Sequence, residues 1–305
     1  MFRKLAGAAL AAFVAVQPVH AEEERSLLGF GYLLVNDTFG DSYDRWRTGS
    51  AVASLAVGSD WTGQAPSELG DLWEVRFGGE IIAPISLGRQ RSWDRHYASS
   101  AFLGAHTHIQ RGGLEASIGA DVVAIGPMTN LDEIQAWIHR NADVQLPSQA
   151  VLDAQIQNTW RLRGVVEVGN TVSLGNAFSL RPFAEVRAGD ETLARVGFDA
   201  TLGGFGQGEL LARDSVTGHR YSVIRNQQPG WSVVVGADAA QVVNSVYLPE
   251  VNGLERTDVR ARARAGVHWR GKRHSVFYGV SWLGKEFKAQ TEGQVVGAIN
   301  FTYQF

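Results

Sequence analysis

The 305-residue chain contains no cysteine, 2 methionines and only 8 prolines. The missing cysteine excludes a disulfide scaffold, a thiolate metal site and a cysteine nucleophile. Excess charge of either sign is also missing: 28 Lys and Arg stand against 31 Asp and Glu, for a net charge of −3. Such a balance gives no general attraction for nucleic acid, so no nucleic-acid partner is expected. Long apolar runs are scarce. The one conspicuous run, residues 5–16, has 12 residues, well short of the about 20 that a spanning helix needs.

That run follows Arg3 and Lys4 and leads to the small-x-small set Val19, His20 and Ala21. A basic start, a short apolar core and a cleavage signature describe a signal peptide cut after Ala21. A buried N-terminal helix fits poorly, because it would end in Glu22, Glu23, Glu24 and Arg25. The expectation is an exported protein, with residues 1–21 removed and 22–305 forming one unit. At roughly 150 residues per domain the length would allow two, but a barrel of this size can be single.

What the chain has in plenty is glycine, 35 residues, and a period of two. From Val259 to Trp269 the odd positions are Val259, Ala261, Ala263, Ala265, Val267 and Trp269, while Arg260, Arg262, Arg264 and His268 occupy even ones. Trp73, Val75, Phe77 and Ile81 oppose Glu74, Arg76 and Glu80 in the same way, and Leu114, Ala116, Ile118, Ala120 and Val122 oppose Glu115, Ser117 and Asp121. The last strand sets Val295, Gly297, Ile299, Phe301, Tyr303 and Phe305 against Asn300, Thr302 and Gln304.

Strands of about ten residues with alternating faces and aromatic ends mark a transmembrane antiparallel β-barrel, whose closed sheet leaves no backbone group unpaired in lipid. A soluble β-sandwich also alternates. The charges on the polar face, the small residues on the apolar face and the terminal Phe305, which resembles an outer-membrane assembly signal, favour the all-β barrel.

Strands are expected over 27–36, 48–59, 72–85, 96–110 and 113–123. If the N-terminus lies in the periplasm, the long connections 37–47, 86–95 and 124–154 share the extracellular end, and 111–112 is a short turn at the other, the asymmetry of outer-membrane barrels. The longest connection carries a helix signal: Asn130 and Glu133 suggest a capping box, and Gln135 and His139, four apart, would share a helical face. Residues 204–229 form a long polar stretch at the periplasmic end that this strand count does not explain.

Set in order, Asn36-Asp37, Asp44-Arg45 with Thr48, Ile81 and Pro84, Asp94-Arg95 with Tyr97-Ala98, Gly126-Pro127, Gln135 and His139, and Glu286-Phe287 form a series. In order and spacing this series resembles the outer-membrane lipid A 3′-O-deacylases, from about residue 30 to the C-terminus and most strongly over 119–157. The resemblance implies a barrel of twelve strands in the bacterial outer membrane, and the chain is expected to be a monomer with the helix in an extracellular loop. It implies a calcium-dependent hydrolase that removes an ester-linked acyloxyacyl chain from lipid A of lipopolysaccharide. Asn36, Asp37 and Thr48 match the family's metal and oxyanion-site groups, with Asp37 and Asn36 as ligands of Ca2+. Gln135 and His139 match its Gln-x-x-x-His, with His139 as general base. A family lysine after the third strand has no counterpart; Arg89 or Arg91 offers its charge but not its geometry. Asp143 is the nearest substitute for an acidic residue expected after the histidine.

The chemistry of these residue types agrees. Ester hydrolysis needs a base for water and a positive group for the developing oxyanion. An imidazole, with an unperturbed pKa of about 6.5, suits the first, and a hard oxygen-ligated cation such as calcium suits the second. Arg89, Arg91, Arg95 and Arg140 are expected at the same rim, where they would meet lipid A phosphates. Each residue has a plainer reading: Asn36-Asp37 as turn formers, Thr48 as a β-former, His139 as a surface histidine of the kind expected at His219 and His274. His106 and His108 face one way and are expected to line the lumen, a metal site being conceivable. Arg260, Arg262 and Arg264 are expected to pair with lumen acids. The alternatives are an inactive or otherwise lipid-binding barrel, and a small porin, although an aqueous channel usually takes about 16 strands.

Overall fold

A computed structural model describes residues 25–250 and 254–303; the expected signal peptide and the terminal Phe305 lie outside the described residues. In chain order the first strands are β1 (Ser26–Asn36), β2 (Trp46–Gly58), β3 (Leu72–Ala83), β4 (Ala98–Arg111) and β5 (Leu114–Ile125). The helices α1 (Leu131–Ala142) and α2 (Gln149–Asp153) follow, and then β6 (Thr159–Asn170), the stub β7 (Val172–Ser173), β8 (Phe178–Ala188) and β9 (Glu191–Gly203). The remaining strands are β10 (Leu210–Arg213), β11 (Arg220–Ile224), β12 (Gly230–Ser245), β13 (Val259–Arg270), β14 (His274–Leu283) and β15 (Gln294–Tyr303). Twelve of them form an antiparallel wall that closes where β1 meets β15, with Leu34 opposite Ile299, and β6 meets β8, with Val166 opposite Val186. The five strands expected from the pattern are all present, displaced by no more than a few residues.

The alternation sorts the side chains with a polarity opposite to that of a soluble sandwich. Phe77, Leu103, Val122, Trp160, Leu162, Val196, Val235 and Phe301 are exposed on the outside, whereas Glu74, Arg163, Arg181, Asp238, Arg262 and Arg264 are buried within. An apolar exterior around a charged interior is stable only where the exterior meets lipid. Arg260 pairs with Glu191 at 2.7 Å, Arg262 with Asp238 at 2.9 Å, and Arg264 with Asp238 at 2.6 Å and with Asp199. His106 lies 2.9 Å from Asp121 and His108 2.6 Å from Glu74, each pair enclosed. Both histidines are lumen residues held by carboxylates.

Residues 204–229 account for the stretch that the strand count left open. They fold back into the barrel as the hairpin β10–β11, whose Leu210, Ala212, Tyr221, Val223 and Ile224 pack against Leu33, Val35, Val52, Phe277 and Val296 of the wall. The period-two signal is weak here because each strand is only 4 or 5 residues long. Close approach depends on Gly31, where a β-carbon would stand 2.2 Å from the Ser222 carbonyl oxygen. The hairpin's other side is tied by Arg213 to Glu167 at 2.7 Å and Asp199 at 2.8 Å. His219 therefore departs from its expected surface position: it is buried in the plug, edge-on to Phe277 with ring centroids 5.1 Å apart.

Helix α1 is where its pattern placed it, but the expected capping box is absent. Asn130 has a left-handed backbone, φ 55°, where a capping residue is normally extended, and makes no side-chain cap; its backbone amide closes the preceding turn onto the Pro127 carbonyl. Thr129 Oγ1 accepts the Leu131 amide instead, at 3.4 Å.

Candidate active site

The helix lies against the outside of the wall. Thr129 Oγ1 donates to Ser99 Oγ at 2.8 Å, and Ser99 Oγ donates to the Gly126 carbonyl at 3.2 Å; Ser99 shares the outward parity of the exposed Leu103. Leu131 sits over Gly79, where a β-carbon would come within 3.0 Å of its side chain. Glycine at this outward position of β3 makes the space for the helix. Gln135 and His139 are buried against the barrel, and on the opposite face Ile134, Trp137 and Ile138 are exposed. An amphipathic helix thus points its polar face at the wall and its apolar face away from it.

Beneath that polar face the ends of β1 and β2 meet. Asn36 caps a single 3-10 turn, its Oδ1 accepting the Thr38 amide at 2.9 Å, and its Nδ2 donates to the Thr48 carbonyl at 3.0 Å. Asp37, buried, accepts the Arg45 amide at 3.3 Å. Thr48 Oγ1 donates to Asp44 Oδ1 at 2.5 Å, and Asp44 Oδ2 stands 3.2 Å from His139 Nε2. That last contact is close but off the hydrogen-bonding direction, leaving Asp44 Oδ2 a buried oxygen without a hydrogen-bond partner. His139 Nδ1 faces the Gln145 carbonyl at 2.7 Å. A carbonyl can only accept, so Nδ1 carries the proton and Nε2 is the basic nitrogen turned toward Asp44. Gln135 Oε1 accepts from the buried Tyr97 hydroxyl at 2.7 Å.

Among the described residues, two carboxylates here, Asp37 and Asp44, have no guanidinium or ammonium against them, unlike the acids of the lumen. Burial, and secondarily the charge of Asp44, push the Asp37 carboxyl up to about 7, against the lowering by the Thr48 hydroxyl and the Arg45 amide. Among the described residues no three His, Asp or Glu side chains converge as a metal cluster. A bound cation would therefore rest on two carboxylates together with neutral oxygens, from the chain or from water and substrate.

The fold brings together Asn36, Asp37, Thr48 and His139, with Gln135 one helical turn away. Asp44 joins them without having been given a role from the sequence, although its place four residues before Thr48 was part of the motif series. Arg89, Arg91 and Arg140 are exposed, and Arg91 lies over the Trp93 ring at 5.3 Å. Arg95 corrects the expectation for it: it is fully buried and paired with Glu286 at 2.5 Å, because the chain turns inward at Asp94, whose carboxylate accepts the Ile85 amide at 2.5 Å and the Arg95 amide at 2.9 Å. It cannot meet a lipid phosphate. Asp143 ends α1 as an exposed residue with φ 55°.

The family model described as outer membrane protein LpxR matches residues 7–305. Among solved structures, LpxR from Salmonella typhimurium superposes with a TM-score of 0.74 at 16% identity, covering 91% of this chain and 100% of that one. At that identity the likeness shows the fold. The translocator domain of autotransporter NalP from Neisseria meningitidis overlaps at a TM-score of 0.43 and 10% identity, over 100% of this chain and 94% of its own. The NanC porin gives 0.43 at 6% identity, over 90% and 100%. Both overlap too loosely to bear on function. No curated protein matches the sequence.

Proposed function

This chain belongs to the LpxR family of outer-membrane proteins, and from that membership we propose that it hydrolyses an ester-linked acyl chain of lipid A. The observation that carries the proposal is the placing of His139, Asp44, Thr48 and Asp37 on the lipid-facing side of the wall, under an amphipathic helix. A site for a soluble substrate would open into water; this one borders the acyl region of the leaflet. Ile134, Trp137 and Ile138 would lie among acyl chains while Gln135 and His139 face the ester.

In this reading His139 Nε2 takes the proton from the attacking water, its ring held by the Gln145 carbonyl at Nδ1, and Asp44 beside Nε2 stabilises the imidazolium once that proton has arrived. Asn36 frames the site by fixing the Thr48 carbonyl and the Thr38 amide. Gln135, with its oxygen engaged by Tyr97, keeps its amide hydrogens for the substrate. Arg89, Arg91 and Arg140 meet the headgroup phosphates.

The donor set fits a hard divalent cation. The partnerless oxygen of Asp44 and the raised pKa of Asp37 both mark negative charge lacking a counter-charge. Asp37 and Asp44 would hold Ca2+, with the second lone pair of Asn36 Oδ1 in reach of the same turn, and the ion would supply charge for the developing oxyanion. Calcium takes six to eight oxygens, so water and lipid oxygens would complete it. Signal-peptide cleavage after Ala21 would deliver residues 22–305 as a monomer.

The porin alternative is disfavoured by the plugged lumen, where a cavity of about 380 Å³ is left beside the hairpin. The deciding experiment is mass spectrometry of lipid A from cells with and without the protein. Loss of one acyloxyacyl chain only in its presence supports the proposal. Unchanged lipid A, with the barrel verified in the membrane, would sink it.

A further inference from the structure

The catalytic turn is built in an unfavourable backbone. Trp46 has φ 51°, in the left-handed region that side chains other than glycine avoid. Immediately after it the β2–β3 register slips: Arg47 is opposite Ile82 and Gly49 is opposite Ile81, so Thr48 is an extra residue in the ladder. This bulge separates two destinations. Arg47 turns into the lumen, where it meets Glu80 at 2.6 Å and Glu286 at 2.7 Å. Thr48 turns out to Asp44 and the site.

A single side chain from the far end of the sequence spans this turn. Gln294, 1% exposed at the start of β15, accepts the Arg47 amide through Oε1 at 3.0 Å and donates from Nε2 to the Arg45 carbonyl at 2.6 Å. Its carboxamide thus takes one backbone group on each side of Trp46. The next residue holds the other limb of the same loop: the Asp41 amide donates to the Val295 carbonyl at 3.0 Å, and the Val295 amide donates to Asp41 Oδ2 at 3.1 Å. The apolar anchor is Trp46 itself, buried with Leu248, Leu254 and Phe287.

We propose that Gln294 is a positioning residue for the reaction, clamping the left-handed turn at Trp46 so that Thr48 and Asp44 face His139. It touches no reacting atom and acts through the backbone of residues 45–47. Only a side chain carrying both an acceptor and a donor at glutamine length satisfies both groups. Leucine matches the volume and satisfies neither, while glutamate keeps an acceptor for the Arg47 amide and sets a second oxygen against the Arg45 carbonyl. The inference rests on the deacylase reading for its catalytic consequence, and on geometry alone for the clamp.

The test uses the full-length barrel in detergent, wild type against Gln294→Leu and Gln294→Glu, with heat-modifiable electrophoresis as the folding check. Two quantities are read. In kinetics with lipid A and calcium, kcat is expected to fall about 10- to 100-fold in Gln294→Leu, with KM changed less than about 2-fold because the lipid-binding groups are untouched. Gln294→Glu should fall between, and stands in if Gln294→Leu does not fold. In deuterium exchange, amides 45–48 should exchange faster in both variants, while residues 259–270 of the opposite wall stay as in wild type. A folded Gln294→Leu with wild-type kcat, or with unchanged exchange over 45–48, overturns the proposal. Wild-type protein that releases no acyl chain overturns the deacylase reading instead, and the exchange data then decide the clamp by themselves.

Discussion

Lumen and outer site are both rich in buried carboxylates, yet they treat them in opposite ways. In the lumen Asp238 is met by Arg195 at 3.2 Å, Arg262 at 2.9 Å and Arg264 at 2.6 Å, and Asp190 by Arg163 at 2.6 Å. At the outer site Asp37 and Asp44 have a hydroxyl, two amides and an imidazole around them but, among the described residues, no guanidinium. Paired charges in a low-dielectric interior are satisfied and inert. Unpaired ones create a demand that a cation or a reacting group can meet. Charge density therefore does not single out the candidate site; the missing partner does.

The comparison is broken most sharply at His139. His139→Ala should lower acyl release about 10²- to 10⁴-fold with the barrel folded, measured on purified protein by mass spectrometry of the released chain. His274→Ala, at an exposed turn, should leave the rate unchanged. Equal loss in both would mean that the histidine chemistry is misassigned.

Next in size is the counter-charge. Asp37→Ala, or excess chelator on wild type, should cost on the order of a hundredfold. Calcium should restore the chelated wild type but not the variant. Magnesium should substitute poorly, since it holds its water and demands stricter geometry. An undiminished rate in chelator would end the metal-assisted mechanism.

The lumen should respond in the other currency. Asp238→Ala takes from Arg262 its only carboxylate partner among the described residues, and from Arg195 and Arg264 one of two each, and should lower unfolding stability by about 3–5 kcal/mol, read from the denaturant midpoint in detergent, while kcat of the folded fraction stays at the wild-type value. A kcat loss matching that of Asp37→Ala would erase the distinction between the two regions.

A smaller effect concerns pH. Because Asp37 is raised from 3.8 to about 7, it is protonated below neutrality, and activity at limiting calcium should drop about tenfold per unit as pH falls below that value. The linkage sign for stability is opposite: a raised acid favours the folded state at low pH, and that contribution is lost as pH rises from about 4 through 7. Saturating calcium should move the acid limb of the rate profile downward, and a limb that ignores calcium would separate Asp37 from the ion. Smallest of all, alanine at Arg89, Arg91 or Arg140 should raise KM for lipid A a few-fold each with kcat held, whereas Arg95, sealed against Glu286, should affect folding instead.

Much of the wall was legible in the sequence, since inward and outward residues alternate every second position whatever the rest of the chain does. The run from Val259 to Trp269 therefore shows its strand and its two faces without help. The motif series likewise named Asn36, Asp37, Thr48, Gln135 and His139 and the helix that carries two of them. Hidden from it were Asp44's role, the burial of Arg95, the plug at 204–229 and the clamp by Gln294. These depend on which segments meet across the closed barrel, some 247 residues apart for Gln294 and Arg47. Local periodicity fixes a side chain's face within its own strand. Only closure of the sheet, the bulge at Thr48 and the packing of α1 on the outer wall decide which carboxylates acquire an arginine and which are left facing a histidine.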